Sequence, residues 1–445
     1  MKKIIISMAA ASLVATSAMA ADKGIDFTTN GQAVVYYQTG GAVKSDKLFD
    51  QSASKANFGV QLDNVADLKN GFTLGTQITY LGTVGLEKNL VGNTMQTSSV
   101  DKKGNLIPNG GIDALNKTNN QVMLTKVYLA KKIANTTVKL GRQELPKALS
   151  PLAFSEGWNV FKNTFDAALV VNTDIPNTTI VGAYVGRSTS HDLSTVGDAQ
   201  VVTTAATVNE NGPAYMLTVQ NKSLPMTTVT GSFYGLNNIA GDLTGTTAKA
   251  GLDATAVWLD VKVADKSLPM GLKAAVQLGS IMPDSKLNNI TKVPGVTSLG
   301  FESTVAVGAK VGVEPMKGLK VCLAGSYVSG EDDMNKQIVA IKNVGTGVKT
   351  PLYTQLVANQ NAIALDNGTA MVKGAYSLGD LGTVVAQGSY TKAGSRSLVG
   401  QDSTDMELLY QTKAAGMDLL VAGVLVKPEN GTSTKIARVV ARYKF

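Results

Sequence analysis

The residues available for bond chemistry are few and badly placed for it. The single histidine, His191, directly follows Ser190, and neighbours on a chain do not face each other as nucleophile and base. A membrane-embedded lipase would need Ser, His and an orienting partner gathered at one point, whereas His191 falls in an expected outer loop. The single cysteine, Cys322, excludes a disulfide framework and any multi-cysteine zinc site. Gly308 and Gly312 lie inside strand-like runs with no following helix, so they do not form a phosphate-cradling loop. Glu331-Asp332-Asp333 is where calcium could be held, but three successive acids without ligand spacing read as a solvated loop tip. The formal charge of +8 comes without aromatic stacking motifs, which gives no case for nucleic acid. The expectation is a protein that is not an enzyme and needs no cofactor.

What remains is charge, and it is patterned. Lys126, Lys139, Lys262, Lys273, Lys310, Lys320, Lys373, Arg438, Arg442 and Lys444 all fall on the less apolar parity of alternating segments. The acids on that parity are fewer: Asp63, Asp260, Glu302 and Glu407. Rings of basic side chains around a narrow pore attract anions, although lysines near a rim are screened over about 8 Å at physiological salt.

The elements that would position these charges are strands. Phe72, Leu74, Ile78 and Tyr80 share one face of their segment, against Thr73, Gly75, Gln77 and Thr79 on the other. Val257, Leu259, Val261 and Val263 oppose Trp258, Asp260 and Lys262; Leu319, Val321, Leu323 and Tyr327 oppose Lys320, Cys322, Ala324 and Ser326. Period-two alternation of this kind recurs from end to end. Short connections carrying turn chemistry fall at 63–71, 133–136, 174–177, 221–226, 264–271, 313–318, 378–382 and 413–417. Longer ones, rich in Gly, Ser, Thr, Asn and Lys, fall at 39–55, 82–119, 144–160, 187–212, 237–251, 280–299, 329–368, 393–402 and 428–432. Between them lie 18 strands, with 16 as the alternative count. Lys222-Ser223-Leu224-Pro225-Met226 recurs as Lys266-Ser267-Leu268-Pro269-Met270, both in short turns where Pro disturbs no ladder.

Composition separates a membrane barrel from a soluble sandwich. Charged residues make up 17% of the 445, against about 25% in ordinary soluble proteins. Yet the longest strongly apolar run in the body, 419–426, falls far short of the roughly 18 residues that a spanning helix needs. The polar parity is Thr, Ser, Gln, Gly and isolated lysines, which suits a wet interior, with the apolar parity facing lipid. In hydrocarbon such a sheet survives only without edges. Tyr80, Tyr184, Tyr327, Tyr376, Tyr390 and Tyr443, near strand ends, would form interfacial girdles. Lys2 and Lys3, the apolar stretch 4–14 and the small residues of Ala18-Met19-Ala20 read as a signal peptide cleaved after Ala20. Residues 21–445 then form one exported barrel domain, its net charge lowered from +8 to +6 by the loss of two lysines.

The last strand is the most specific segment. Ala437, Val439, Ala441, Tyr443 and Phe445 alternate with Arg438, Val440, Arg442 and Lys444, and the chain ends on the aromatic. This resembles Gram-negative outer-membrane β-barrels, whose assembly machinery reads such an ending; Tyr443 and Phe445 are the expected signal. The terminal Tyr-Lys-Phe, with Gly141-Arg142-Gln143-Glu144-Leu145, Glu156-Gly157-Trp158-Asn159 and Lys162-Asn163-Thr164-Phe165-Asp166, is similar to the major outer-membrane porins of epsilonproteobacteria. These are in turn similar to occlusion-type (OprD-like) 18-stranded porins. The resemblance implies a homotrimeric channel in the outer membrane whose third outer loop folds inward. Here that loop is 144–160, where two prolines and an apolar stretch indicate packed structure. Glu144, Lys147, Glu156 and Trp158 are the expected constriction residues.

The resulting expectation is an all-β, antiparallel up-and-down transmembrane barrel for passive diffusion of small hydrophilic solutes, mildly favouring anions. The rival is a structural or adhesive surface protein that uses loops 82–119 and 329–368 for binding. A plugged active transporter fits poorly, because strands begin by about residue 28. A soluble secreted solenoid would leave its first and last strands without closing partners.

Overall fold

The computed structural model describes residues 25–42, 48–50, 53–82, 121–157, 160–188, 213–237, 253–284, 300–330, 336–338, 340–345, 349–357, 363–395 and 401–445. The leader expected at 1–20, with its cleavage residue Ala20, lies outside them, as do Trp158, His191 and the acids 331–333.

The strands in chain order are β1 (Asp26–Ala42), β2 (Ser54–Lys69), β3 (Phe72–Gly82), β4 (Gln121–Ile133), β5 (Thr136–Gln143), β6 (Phe165–Asn172), β7 (Thr178–Ser188), β8 (Ala214–Asn221), β9 (Thr227–Leu236) and β10 (Ala254–Ala264). They continue with β11 (Lys273–Pro283), β12 (Gly300–Glu302), β13 (Thr304–Met316), β14 (Leu319–Val328), β15 (Lys336–Ile338), β16 (Asn367–Ser377), β17 (Thr383–Ala393), β18 (Ser403–Ala414), β19 (Met417–Pro428) and β20 (Thr434–Lys444). Strands β12 and β15 form a separate parallel ribbon. The other 18 form one sheet of antiparallel neighbours, and β1 pairs with β20 from Gln32 opposite Lys444 to Ala42 opposite Thr434. The sheet therefore closes on itself, with 18 strands rather than 16. Closure leaves no edge, and so satisfies the requirement that every backbone polar group in hydrocarbon be paired.

The seam extends to the last residue. The Gly31 amide donates to the Phe445 carbonyl (2.6 Å), and the Phe445 amide donates to the Gly31 carbonyl (3.0 Å). A Cβ at position 31 would sit 2.2 Å from the Phe445 ring, so only glycine lets the terminal aromatic lie flat on the wall. Tyr443 and Phe445 both point outward and stack at 6.0 Å.

Alternation decides which residues meet lipid. Leu217, Leu278, Leu323, Val372, Met406 and Leu408 are each about half exposed on the outer surface. Such a continuous apolar exterior would be an aggregation liability in water and is what a bilayer requires. Tyr184, Tyr215, Tyr327 and Tyr390 stand outward toward the long-loop ends of their strands, and Tyr376 and Tyr443 toward the short-turn ends.

Inside, polar side chains bond across strands. Gln61 donates to Gln77 Oε1 (3.1 Å) and to Thr79 Oγ1 (2.9 Å), and Thr79 bonds Thr125 (2.7 Å). In β4 a bulge moves the register from Gln77–Lys126 to Ile78–Leu124. The extra residue turns both Thr125 and Lys126 inward, where Thr125 meets Gln77 and Lys126 meets Asp63.

Two details that bear on charged positions differ from the sequence expectation. The connection placed at 63–71 is only the turn Asn70–Gly71, because β2 continues to Lys69 and keeps Asp63 in the wall. Glu302 lies in ribbon strand β12 rather than in a lumen-facing barrel strand. The ladder of β13 with β11 ends at Thr304, and Ser303 separates the two segments. The repeated turn, by contrast, is one geometry used twice. Met226 and Met270 take positive φ (58° and 52°), and the i to i+3 bonds Thr227–Leu224 and Gly271–Leu268 correspond.

Placing a cation at the middle of the lipid face should cost heavily. Leu259→Arg, at the centre of β10, is expected to destabilise the barrel by about 2–4 kcal/mol. The measurement is reversible folding into lipid vesicles, with Val263→Thr near the end of the same face as the mild comparison.

Candidate functional site

Two connections fold into the barrel and grip each other. The first comprises 144–157 and 160–164, between β5 and β6; the second comprises 340–345 and 349–357, from the β14–β16 connection. Their clasp is Asn343. Its Nδ2 donates to the Phe154 carbonyl (2.8 Å) and Glu156 Oε1 (2.8 Å), and its Oδ1 accepts the Phe154 amide (3.0 Å). The Lys349 amide also donates to Glu156 Oε1 (3.1 Å), and the Val344 amide to the Leu152 carbonyl (2.7 Å). Lys147 Nζ reaches the Thr350 carbonyl at 3.0 Å. Fully bonded buried polar groups fix a geometry because each lost partner costs about 1–3 kcal/mol.

The pair is anchored to opposite walls. The Leu152 amide donates to Tyr234 Oη on β9 (3.2 Å), and Gln277 on β11 donates to the Pro351 carbonyl (3.2 Å). Across the barrel, Arg442 of β20 donates to the Val160 carbonyl (3.0 Å), and the Val357 amide to Glu407 of β18 (3.1 Å). Leu145, Leu152, Phe165, Tyr234, Trp258, Ile281, Ile341 and Leu352 form a dry cluster on the β6–β13 side. At its edge Gly345 passes so close that a Cβ would meet the Phe165 ring at 2.4 Å.

Among the described residues, the β16–β20 side stays open. A cavity of about 880 Å³ is lined by Asp380, Gln411, Lys413, Asp418, Arg438, Arg442 and Lys444. A second, of about 580 Å³, is lined by Lys147, Glu156, Lys349, Gln355, Lys373 and Gln387. They share Gly157, Val357, Leu409 and Gln411, so the two cavities adjoin beside the clasped loops. A third recess of about 450 Å³, between the loops and β9–β13, is lined by Lys147, Asp260, Lys262, Gln277, Lys310 and Tyr353.

The expected site residues fall into distinct settings. Lys147 lines both the open space and the third recess; Lys373 faces the former from the wall, and Lys262 and Lys310 the latter. Lys273 and Lys320 are exposed near the short-turn ends of β11 and β14. Glu144 holds Lys126 (2.7 Å) and Lys162 (2.8 Å). Burial works against its charge, but the two lysines outweigh it and keep its pKa below the ordinary carboxylate range. Lys139 lies over the Tyr128 ring at 3.6 Å. Arg438 is buried against Tyr36 and donates to Gln38 (2.7 Å), so it stiffens the wall more than it presents charge. Asp260 accepts from Tyr353 Oη (2.9 Å) and Gln277 (3.1 Å). Glu156, expected to meet solutes, is only 6% exposed and serves as the acceptor of the loop clasp.

Asn343, Lys349, Tyr353 and Gln355 were not anticipated, since 329–368 read as a long outer connection; its segments 340–345 and 349–357 sit inside instead. The available signal was its apolar content, Ile341, Val344, Leu352 and Leu356, excessive for a solvated loop. Electrostatics in the narrows are strongly environment-dependent. Lys349 is buried, and desolvation pushes its pKa down to about 8. Lys147 touches lumen water but is enclosed by protein beyond it; this desolvation, with Lys310 and Lys262 adding repulsion, outweighs Glu156 and lowers it to about 8.

Asn343→Ala should release the clasp. The expected result is larger single-channel current with added open-state noise, and a loss of about 1–3 kcal/mol in stability. Planar-bilayer recording and thermal unfolding check the two effects separately.

No protein-family model matches the chain, and no curated protein matches it. Among solved structures it is similar to OccK8 (OprE) of Pseudomonas aeruginosa, at 12% identity and a TM-score of 0.69, covering 94% of this chain and 98% of that one. It is similar to OpdO of the same organism at 12% identity and TM-score 0.66, covering 94% and 97%. OpdK solved with vanillate matches at 11% identity and TM-score 0.67, covering 94% and 98%. The shared property is the fold: a closed antiparallel barrel of 18 strands, of the kind found in these OccK and OprD-type outer-membrane proteins.

Proposed function

We propose that the chain forms an outer-membrane channel through which small hydrophilic solutes and ions diffuse passively, with a mild preference for anions. The carrying observation is the pair of adjoining cavities beside the clasped loops, lined by lysines, arginines and carboxylates and enclosed by a wall whose outer face is apolar. Passive movement needs only a gradient and a wet path.

The anion preference rests on the balance of charge in the narrows. Lys147, Lys349, Lys373, Lys413, Arg442 and Lys444 line the two adjoining cavities, against Glu156, Asp380 and Asp418. Glu156 is already engaged by the loop clasp. A carboxylate such as the vanillate held by OpdK is therefore a fitting first solute to try. The remaining parts of the reading are export through the periplasm with removal of 1–20, insertion through recognition of Tyr443 and Phe445 by the barrel-assembly machinery, and assembly as a homotrimer. Kinship with epsilonproteobacterial major porins is supported by the terminal Tyr-Lys-Phe and the 141–166 segments. No calcium is required by the reading.

In a potassium chloride gradient across a planar bilayer, the reversal potential should have the anion-selective sign at pH 6; the cation-selective sign would contradict the preference, and absence of stepwise openings would contradict the channel itself. Selectivity should also titrate. A lysine whose pKa lies at about 8 is cationic below that pH and neutral above it. Anion preference should fall between pH 7 and 9, and Lys147→Gln with Lys349→Gln should abolish the change.

A further inference from the structure

The lipid face is not uniform. In the sheet register, Gly374, Ala386, Leu408, Gly423 and Ala437 lie side by side across β16–β20. Four of these five outward positions are Gly or Ala, so the wall is hollowed along this line. The row below it is bulky: Tyr376, Val384, Tyr410, Val421 and Val439. The row above it runs Val372, Gly388, Met406, Leu425 and Lys435. The hollow has a volume of about 780 Å³, and Leu48 of the β1–β2 connection adds to its lining. That segment is pinned to the outer wall, since the Phe49 amide donates to Thr39 Oγ1 (3.0 Å).

The row crosses four inter-strand steps, about 19 Å at the usual strand spacing. It climbs from the short-turn half of β16 to the long-loop end of β20, where Lys435 stands. Lys427, outward on β19, is its diagonal neighbour and within reach of the same ligand. Both lysines are exposed, and among the described residues no ion pair engages either. An apolar trough ending at two cations matches an acyl chain ending at a phosphate. The long-loop end is the outer side of such barrels.

We propose that this trough is a binding site for a phosphorylated acyl lipid of the outer leaflet, its chain along Gly374–Ala437 and its phosphate between Lys427 and Lys435. The site is independent of the lumen and stands or falls apart from the channel reading. A second copy of the chain is the competing occupant.

The test uses the mature protein, delipidated in detergent and titrated with diphosphorylated lipid A, with bound lipid and chains per particle counted by native mass spectrometry. Retention of lipid should fall at least about tenfold in Lys427→Gln with Lys435→Gln. Gly423→Leu should weaken retention comparably by filling the trough; a Cβ there meets nothing within 4 Å, so the barrel itself should fold. Heat-modifiable gel migration verifies folding for each variant. With dephosphorylated lipid A, the wild type should drop to the level of the lysine variant. Equal retention by all forms, or by both lipids, would overturn the proposal. So would a Gly423→Leu variant that changes the number of chains per particle while leaving the lipid titration intact, which would assign the trough to a neighbouring copy.

Discussion

A peptide group in hydrocarbon has no water to bond, and the rest of this molecule follows from that constraint. Unpaired, each N–H or C=O would cost several kcal/mol, so a sheet that crosses lipid must return to its own first strand. The ladder between β1 and β20 does this over eleven paired positions, Gln32 to Ala42, and the Gly31–Phe445 bonds extend it to the terminus. Once the ring is closed, alternation does the sorting. One parity must be apolar because it meets acyl chains, and the other is released to be polar because it faces an enclosed space.

Within that space the two inserted connections divide the lumen into unequal halves. On the β6–β13 side they bury apolar side chains against Tyr234 and Trp258 as a small hydrophobic core. On the β16–β20 side they leave room and present lysines to it. The packed side fixes the open side, because the loops are held by that packing and by the Asn343 clasp. The same enclosure depresses the lysine pKa values at 147 and 349, so the geometry of the narrows and its charge are two consequences of one arrangement.

The barrel was legible in the sequence because strand alternation is local: Leu259 and Asp260 announce their faces from adjacent positions, and turns such as Leu224-Pro225-Met226 carry their own chemistry. The 18-strand count followed from the alternation of short and long connections. What was not legible is non-local. Lys147 meets Thr350 and Phe154 meets Asn343 across about 190 to 200 residues, and no short-range pattern encodes such pairing. For the same reason Glu156 read as a solute-facing acid, when its partners come from a distant loop. Glu302 was misplaced because strand parity continues smoothly through Ser303, while the ladder stops at Thr304.

The ring closure itself is open to direct trial. Val35 on β1 lies opposite Ala441 on β20, on the lipid face of the seam. Directly opposed antiparallel residues have Cα atoms about 4.5–5.5 Å apart, which suits a disulfide. With Cys322 first replaced by Ser, a protein carrying Val35→Cys and Ala441→Cys should oxidise to a crosslinked chain while folded in lipid, and in planar bilayers it should still open in steps. Free thiols persisting in the folded protein under oxidant, or a crosslink that forms only after denaturation, would mean that the first and last strands do not meet.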